Sequence, residues 1–217
     1  MSKPLFSVIV PAHNADAFLD KCLHSIRYQK IGSKPFTDYE LIVVCDNCTD
    51  ETAEIATGYA DKVITTQYGL DGLARNAGID AADGEWILFL DHDDWWLHEY
   101  VLDMLKNAIE CRANQRTDMI FFDFIWKGVG YIPQHTPGSV AVWNKCWRRE
   151  FIGETRFSDL PHWSDVGFHR AMMDKCPVYA TFGYPMYYYN YLKPGSISWQ
   201  AEQGMIERYK EVQNDDG

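Results

Sequence analysis

The chain is short of positive charge, of long apolar runs and of any repeated unit. It carries 20 Lys and Arg against 31 Asp and Glu, a formal net charge of −11. That balance excludes nucleic acid and an anionic membrane surface as default partners, because a negative field repels phosphate backbones and acidic headgroups. No stretch approaches the roughly 18 to 20 apolar residues of a bilayer span. The opening MSKPLFSVIV has too short an apolar run for a secretory signal. No integral membrane segment is expected, and the expected location is cytoplasmic. The six cysteines (Cys22, Cys45, Cys48, Cys111, Cys146, Cys176) lack a disulfide-framework spacing. Cys45 and Cys48 form a CxxC, but a zinc or redox site needs a second pair or a thioredoxin-like context. Reduced structural thiols are expected. No internal repeat, low-complexity tract or interdomain linker interrupts the chain.

What is present is a globular composition, 217 residues with 47% hydrophobic and 24% charged, and an alternation of strand and helix signals. LFSVIV, YELIVV, KVITT, EWILFL and DMIFFDFIW read as strands. Between them ADAFLDKCLHSIRYQ, ETAEIATGYA (capped by Asp50), GLARNAGIDAA and EYVLDMLKNAIECR read as helices. The second half is less regular. WKGVGYIPQHTPGS should be a loop or hairpin, VAVWNKCWRREFI a strand-to-helix passage, and SDVGFHRAMMDKC a helix. VYATFGYPMYYYNYL reads as an aromatic β segment broken by Pro185, KPGSIS as a loop, and the polar tail as helix and fray. This order predicts an α/β fold in one domain over 1–217, with a mostly parallel central sheet and helices on both faces. About 1–125 would form a first half, about 126–200 a smaller irregular second half, and 201–217 the polar helix and tail.

Ligands bind beyond the carboxyl ends of such strands. Three polar clusters fall there: Pro11 to Asn14, Asp46 to Thr49 and Asp91 to Asp94. The last, DHDD after WILFL and before Trp95 and Trp96, gathers acids that repel one another unless a cation sits between them. Mg²⁺ and Mn²⁺ suit such oxygen ligands, with substrate phosphates completing the shell. The bland alternative is a solvated acidic turn that caps the next helix. His92 should point away from its neighbouring aspartates, since side chains alternate in extended chain. Trp95 and Trp96 read as core or as a pocket wall beside a sugar.

FSVIVPAHN, YELIVVCDNCTDET, GLARNAGIDAADGEWILFLDHDDWW and WSDVGF…YYYNYLKPGSIS occur in the order and at about the distances found in family 2 glycosyltransferases, which the chain resembles from about residue 5 to about 200. The resemblance implies a GT-A (Rossmann-like) fold and an inverting, metal-assisted transfer from a nucleotide diphosphate sugar, usually a UDP-sugar, with Mn²⁺ or Mg²⁺. Pro11, His13 and Asn14 would lie along the nucleotide, and Asp46 would hydrogen-bond its base. Cys45 replaces the first acid of the family's usual pair, and Cys48 a serine. Arg75 would approach the donor diphosphate or the neighbouring acids. The spacer before it is one residue longer than usual, which leaves Gln67 and Asp71 ambiguous. Asp93 would coordinate the metal, Asp91 would lie nearer the ribose, and Asp94 would join or orient them. Lys193 would supply a counter-charge, and Ser196 and Ser198 lie in a loop that often covers the donor. Asn190 stands near a position where Arg is usual.

Asp165 matches the family's catalytic base, with Ser164 where the family has Glu. A sugar hydroxyl is a poor nucleophile, so a carboxylate must take its proton during attack. The plain alternative is that Ser164 or Asp165 caps the helix. The implied acceptor is a glycan or lipid-linked glycan, with protein also open, and the oligomeric state is left open. A silent nucleotide-sugar or glycan binder on the same fold is the rival reading. An aspartate-nucleophile phosphatase fits poorly because Trp95 follows Asp93 where Thr or Val is needed. A sugar nucleotidyltransferase fits poorly because PAHNADAF lacks glycine and any basic residue but His13.

Overall fold

The computed structural model describes residues 3–134, 139–161 and 163–191. Lys193, Ser196 and Ser198, with the expected KPGSIS loop and polar tail, lie outside the described residues.

The elements are β1 (Phe6–Ala12), α1 (Asp16–Arg27), β2 (Lys30–Ile31), β3 (Lys34–Pro35), β4 (Tyr39–Asp46), α2 (Thr52–Tyr59), β5 (Lys62–Thr66), α3 (Asp71–Ala81), β6 (Trp86–Phe89), β7 (Trp95–Trp96), α4 (Val101–Glu110), β8 (Met119–Trp126), β9 (Gly130–Ile132), β10 (Lys145–Arg148), α5 (Arg149–Ile152), α6 (Ser164–Asp174) and β11 (Tyr179–Tyr189). Nine strands form one sheet in the order β5-β4-β1-β6-β10-β8-β11-β7, with β9 paired to β8. β4, β5 and β6 join β1 in a parallel block. β10 then enters antiparallel between β6 and β8, and β11 is parallel to β8.

Alternation within the strands sorts the core into two layers. Phe6, Val8 and Val10 of β1 and Trp86 and Leu88 of β6 face Leu19, Leu23 and Ile26 of α1 and Leu102 and Leu105 of α4. Ile9, Ile42, Val44, Ile87 and Phe89 face the opposite way, onto Ala74 and Ile79 of α3 and Phe168 and Met172 of α6. Both faces of these strands are buried, which is why they read as unbroken apolar runs. Helices therefore cover both sides, as expected.

One local expectation is corrected. β11 is not broken at Pro185. It stays paired with β8 on both sides of the proline and shifts register there, because proline has no N–H for the ladder. Trp95 and Trp96 form a short edge strand that pairs with Tyr187 and Tyr188. Trp96 is in the core, one of the two places expected of it, and Trp95 is stacked on Tyr188 at 4.2 Å with the Lys21 ammonium 3.0 Å over its ring. All six cysteines are free thiols.

Candidate active site

Because β1, β4 and β6 run parallel, their carboxyl ends meet at one edge. The three polar clusters meet there and are stitched together. His13 Nδ1 donates to the Asp46 carbonyl at 2.7 Å. Asn14 Oδ1 accepts from the Thr49 N–H at 2.9 Å and its hydroxyl at 3.3 Å. His92 Nδ1 donates to the Pro11 carbonyl at 3.2 Å, tying the acidic turn to β1. Asn14 and Asn47 take left-handed φ values of 43° and 51°, a region that asparagine enters more readily than most residues.

Asp46 is buried, and its carboxylate accepts from the Thr66 hydroxyl at 2.9 Å, Tyr68 N–H at 2.7 Å and Leu70 N–H at 3.2 Å. Three of its roughly four acceptor positions thus organise the loop between β5 and α3. Cys45 points the other way, into the apolar layer under α1 and α2, and burial pushes its thiol up to about 12. A carboxylate there would have to be desolvated, which the thiol avoids.

At the acidic turn Arg75 is 4% exposed. Its two terminal nitrogens donate to Asp71, one helical turn away, and to Asp91 at 2.5 Å. Of the two roles the resemblance allows, the guanidinium takes the one directed at the acids. Burial opposes its charge, but Asp71 and Asp91 outweigh burial and hold it above its ordinary range. Its Nε, also buried, has no hydrogen-bond partner among the described residues. Burial pushes the Asp91 carboxyl up to about 6; Arg75 opposes the shift, and Asp71 and Asp93 add to it.

Asp94 is 1% exposed, and both of its oxygens are engaged by the far half of the chain. Tyr187 donates its hydroxyl at 2.5 Å and Asn190 its N–H at 2.7 Å. Asn190 Nδ2 also reaches the Asp93 carbonyl at 3.2 Å. Burial, then Asp93 and Asp91, push the Asp94 carboxyl well up. Trp143 is stacked behind Tyr187 at 4.3 Å. Asp94 therefore joins the turn to the end of β11, and its geometry is that of an anchor.

The donors fit a hard divalent ion in kind: crowded carboxylates whose repulsion a cation would relieve. Among the described residues, no group of three or more His, Cys, Asp or Glu side chains is arranged to hold a metal unaided. Such an ion would need oxygens from a bound phosphate, as Mg²⁺ sites commonly do.

Asp165 lies in the first turn of α6. The N-cap position belongs to Trp163, which makes no side-chain capping bond, so neither Ser164 nor Asp165 occupies the cap expected of them. Asp165 Oδ1 accepts from the Val166 N–H at 2.9 Å, a local contact that suits an acid near a helix N-terminus. Ser164 is buried against Gly72 of α3: a Cβ on Gly72 would fall 2.9 Å from both Ser164 Cβ and the Ser158 carbonyl. This approach seats the first turn of α6 beside the helix whose Arg75 holds Asp91. Lys145 of β10 is fully buried nearby. It donates to the Ser139 carbonyl at 2.8 Å, the Ala141 carbonyl at 2.5 Å and Asn144 Oδ1 at 2.9 Å. Burial pushes its ammonium down to about 7, and the Asp165 carboxylate opposes that shift.

Tyr187, Lys145 and Trp163 carried no signal that sequence reasoning used. Tyr187 matters through Asp94, a partner distant in sequence, and Lys145 through three oxygens supplied by the irregular segment just before it. Trp163 was visible only as an unusual residue where Ser, Thr, Asp or Asn is preferred.

The parallel block of the sheet, the acidic turn at its carboxyl edge and the acid on α6 point to one class. Residues 7–177 match Glycosyl transferase family 2, and the chain belongs to that family. It is 30% identical over 200 residues to the putative glycosyltransferase EpsH of Bacillus subtilis, covering 77% of this chain and 55% of that one. It is 34% identical over 138 residues to a PGL/p-HBAD biosynthesis glycosyltransferase of Mycobacterium bovis, covering 60% and 51%. The chain thus spans about half the length of these curated relatives. The fold is GT-A. Staphylococcus aureus TarS 1–349 in complex with UDP superposes with a TM-score of 0.74 at 22% identity, over 84% of this chain and 59% of that one. The mannosyltransferase PcManGT of Pyrobaculum calidifontis, in complex with GDP-Man and Mn²⁺, superposes with 0.67 at 17% identity, over 91% and 60%. No helix among the described residues is long and apolar enough to cross a membrane.

Proposed function

We propose that the chain transfers a sugar, with inversion, from a nucleotide diphosphate donor to a hydroxyl of a glycan or lipid-linked glycan, and that Asp165 is the general base. The observation that carries this reading is the close approach of α6 to α3 at Gly72 and Ser164, beside Arg75 and Asp91. UDP as the nucleotide rests on the related TarS, whose structures include complexes with UDP and UDP-GlcNAc. Asp93, with Asp91, would hold Mn²⁺ or Mg²⁺, which when bound offsets charge on the diphosphate. Arg75 fixes the Asp91 carboxylate, Asp94 fixes the turn, and Asp165 accepts the proton of the attacking hydroxyl. Attack opposite the departing diphosphate inverts the anomeric carbon with this one base.

Ser164, buried where the family has Glu, is the feature that favours a silent donor-binding protein as the second reading. Release of UDP from a panel of UDP-sugars, in the presence of Mn²⁺ and glycan acceptors, separates the two. Turnover that Asp165→Asn abolishes supports the transferase; donor binding without turnover in the wild type supports the binder.

A further inference from the structure

Trp163 violates three local preferences at once. Its indole is 76% exposed, more than any other large apolar side chain among the described residues. Its φ is 65°, in the left-handed region that a bulky residue enters only at a cost. It occupies the N-cap of α6, where small polar residues are preferred, and provides no cap bond. No aromatic ring or cation among the described residues lies against it. Of the described tryptophans, Trp86, Trp96 and Trp147 are buried in the core, Trp95 and Trp143 stack on tyrosine, and Trp126 packs edge-on against Tyr189 and Tyr191. Folding therefore gains neither burial nor a relaxed backbone from this side chain. When a sequence breaks several local rules at one position without a structural return, the return is sought in function.

The position says which function. Trp163 is two residues from Asp165, so their Cα atoms lie within about 7 Å of one another. A sugar that presents a hydroxyl to the Asp165 carboxylate is broad enough to reach a side chain two residues away. A broad, rigid, exposed ring with one polar edge suits the apolar face of a pyranose, and it loses little conformational freedom on binding. Resting on the reading of Asp165 as base, we propose that Trp163 is the stacking platform for the acceptor sugar ring and so a residue that selects a carbohydrate acceptor. The left-handed backbone turns the side chain out of the helix start, where it can serve that ring.

The test uses the full chain labelled with 5-fluorotryptophan, with the Trp163 resonance assigned by its loss in Trp163→Phe. Methyl glycosides of glucose, galactose, mannose and N-acetylglucosamine are titrated one at a time in the presence of UDP and Mn²⁺, with glycerol as a polyol lacking a ring. A saturable shift of the Trp163 resonance is expected with at least one glycoside and not with glycerol. No saturable shift with any of the four, or an equal shift with glycerol, overturns the proposal. Thermal melting supplies the second arm. Trp163→Asn places a residue that tolerates the left-handed region at this site and should raise Tm by about 2–4 °C or leave it unchanged. A fall of several degrees would mean that the indole serves the fold, and the proposal fails. The same titration on Asp165→Asn keeps the two readings apart. If that variant turns over sugar normally while Trp163 still responds to glycosides, the base assignment fails and the platform stands.

Discussion

The acidic turn and the start of α6 hold their acids in opposite ways. At the turn nearly every polar group is tied to another: Asp94 to Tyr187 and Asn190, Asp91 to Arg75, and Asp46 to the loop beyond β5. At α6, Asp165 accepts only the adjacent Val166 N–H among the described residues, and Trp163 beside it is exposed. The difference is that between a fixed cluster of acids and an open edge. A crowded set of carboxylates must be held against its own repulsion, so its neighbours are used for positioning. A general base must instead leave its oxygen available to a substrate hydroxyl.

The comparison breaks hardest at Asp165. Asp165→Asn should lower turnover by about 10²- to 10⁴-fold while leaving the thermal shift produced by UDP with Mn²⁺ in place. Turnover within a few-fold of wild type would remove Asp165 from the mechanism.

On the tied side, Asp94→Ala should act first on stability. It strands the Tyr187 hydroxyl and the Asn190 N–H, at a cost of about 1–3 kcal/mol each, and Tm should fall by several degrees. Tyr187→Phe removes one bond of the same pair and should cost about 1 kcal/mol; denaturant melts of the two variants give the order. A larger loss in Tyr187→Phe would contradict the anchor role given to Asp94.

Gly72→Ala probes the seam between the two regions. The new methyl would collide with the Ser158 carbonyl and Ser164 Cβ, each 2.9 Å away, for an overpacking cost of about 1–3 kcal/mol. Helix propensity alone would make the same change stabilising by roughly 0.8–1 kcal/mol, so the sign of ΔTm decides whether the approach of α6 is as tight as described. Displacement of α6 should also reduce turnover more than it reduces the UDP shift.

A pH-dependent effect is expected at Lys145. Its folded pKa of about 7 lies below the ordinary value near 10.4, so between those values the unfolded chain binds more protons. Stability contributed by this group therefore rises with pH across that window. Melts from pH 7 to 10 should show the difference between wild type and Lys145→Met shifting in favour of wild type as pH rises. A flat difference would mean that the three oxygens around the ammonium hold it fully charged.

Much of this could be read from local pattern. LFSVIV, YELIVV and EWILFL are buried on both faces, and such runs announce parallel strands and place the polar clusters at their carboxyl ends. The acidic turn after WILFL was visible for the same reason, whereas the acid at the start of α6 stood out only through the resemblance to the family. What escaped depends on pairings between distant segments. The strand-to-helix passage expected in VAVWNKCWRREFI is present as β10 and α5, but nothing local tells that Lys145–Arg148 enters the sheet antiparallel between β6 and β8. The pairing of Trp95 and Trp96 was not legible because it depends on the return of β11, which brings Tyr188 against Trp95. The alternative cap at Ser164 or Asp165 is not formed because the helix starts from a left-handed backbone at Trp163, a conformation that no propensity assigns to tryptophan.

The claim on which the rest depends is that the acidic turn holds a divalent ion and, through it, a nucleotide diphosphate. Thermal melting of wild type and Asp93→Ala with UDP, each with and without Mn²⁺, tests it most directly, since a ligand of the folded state raises Tm by mass action. The account predicts a rise in wild type that requires both UDP and Mn²⁺ and that disappears in Asp93→Ala. A rise of equal size in the variant, or none in wild type, would contradict it.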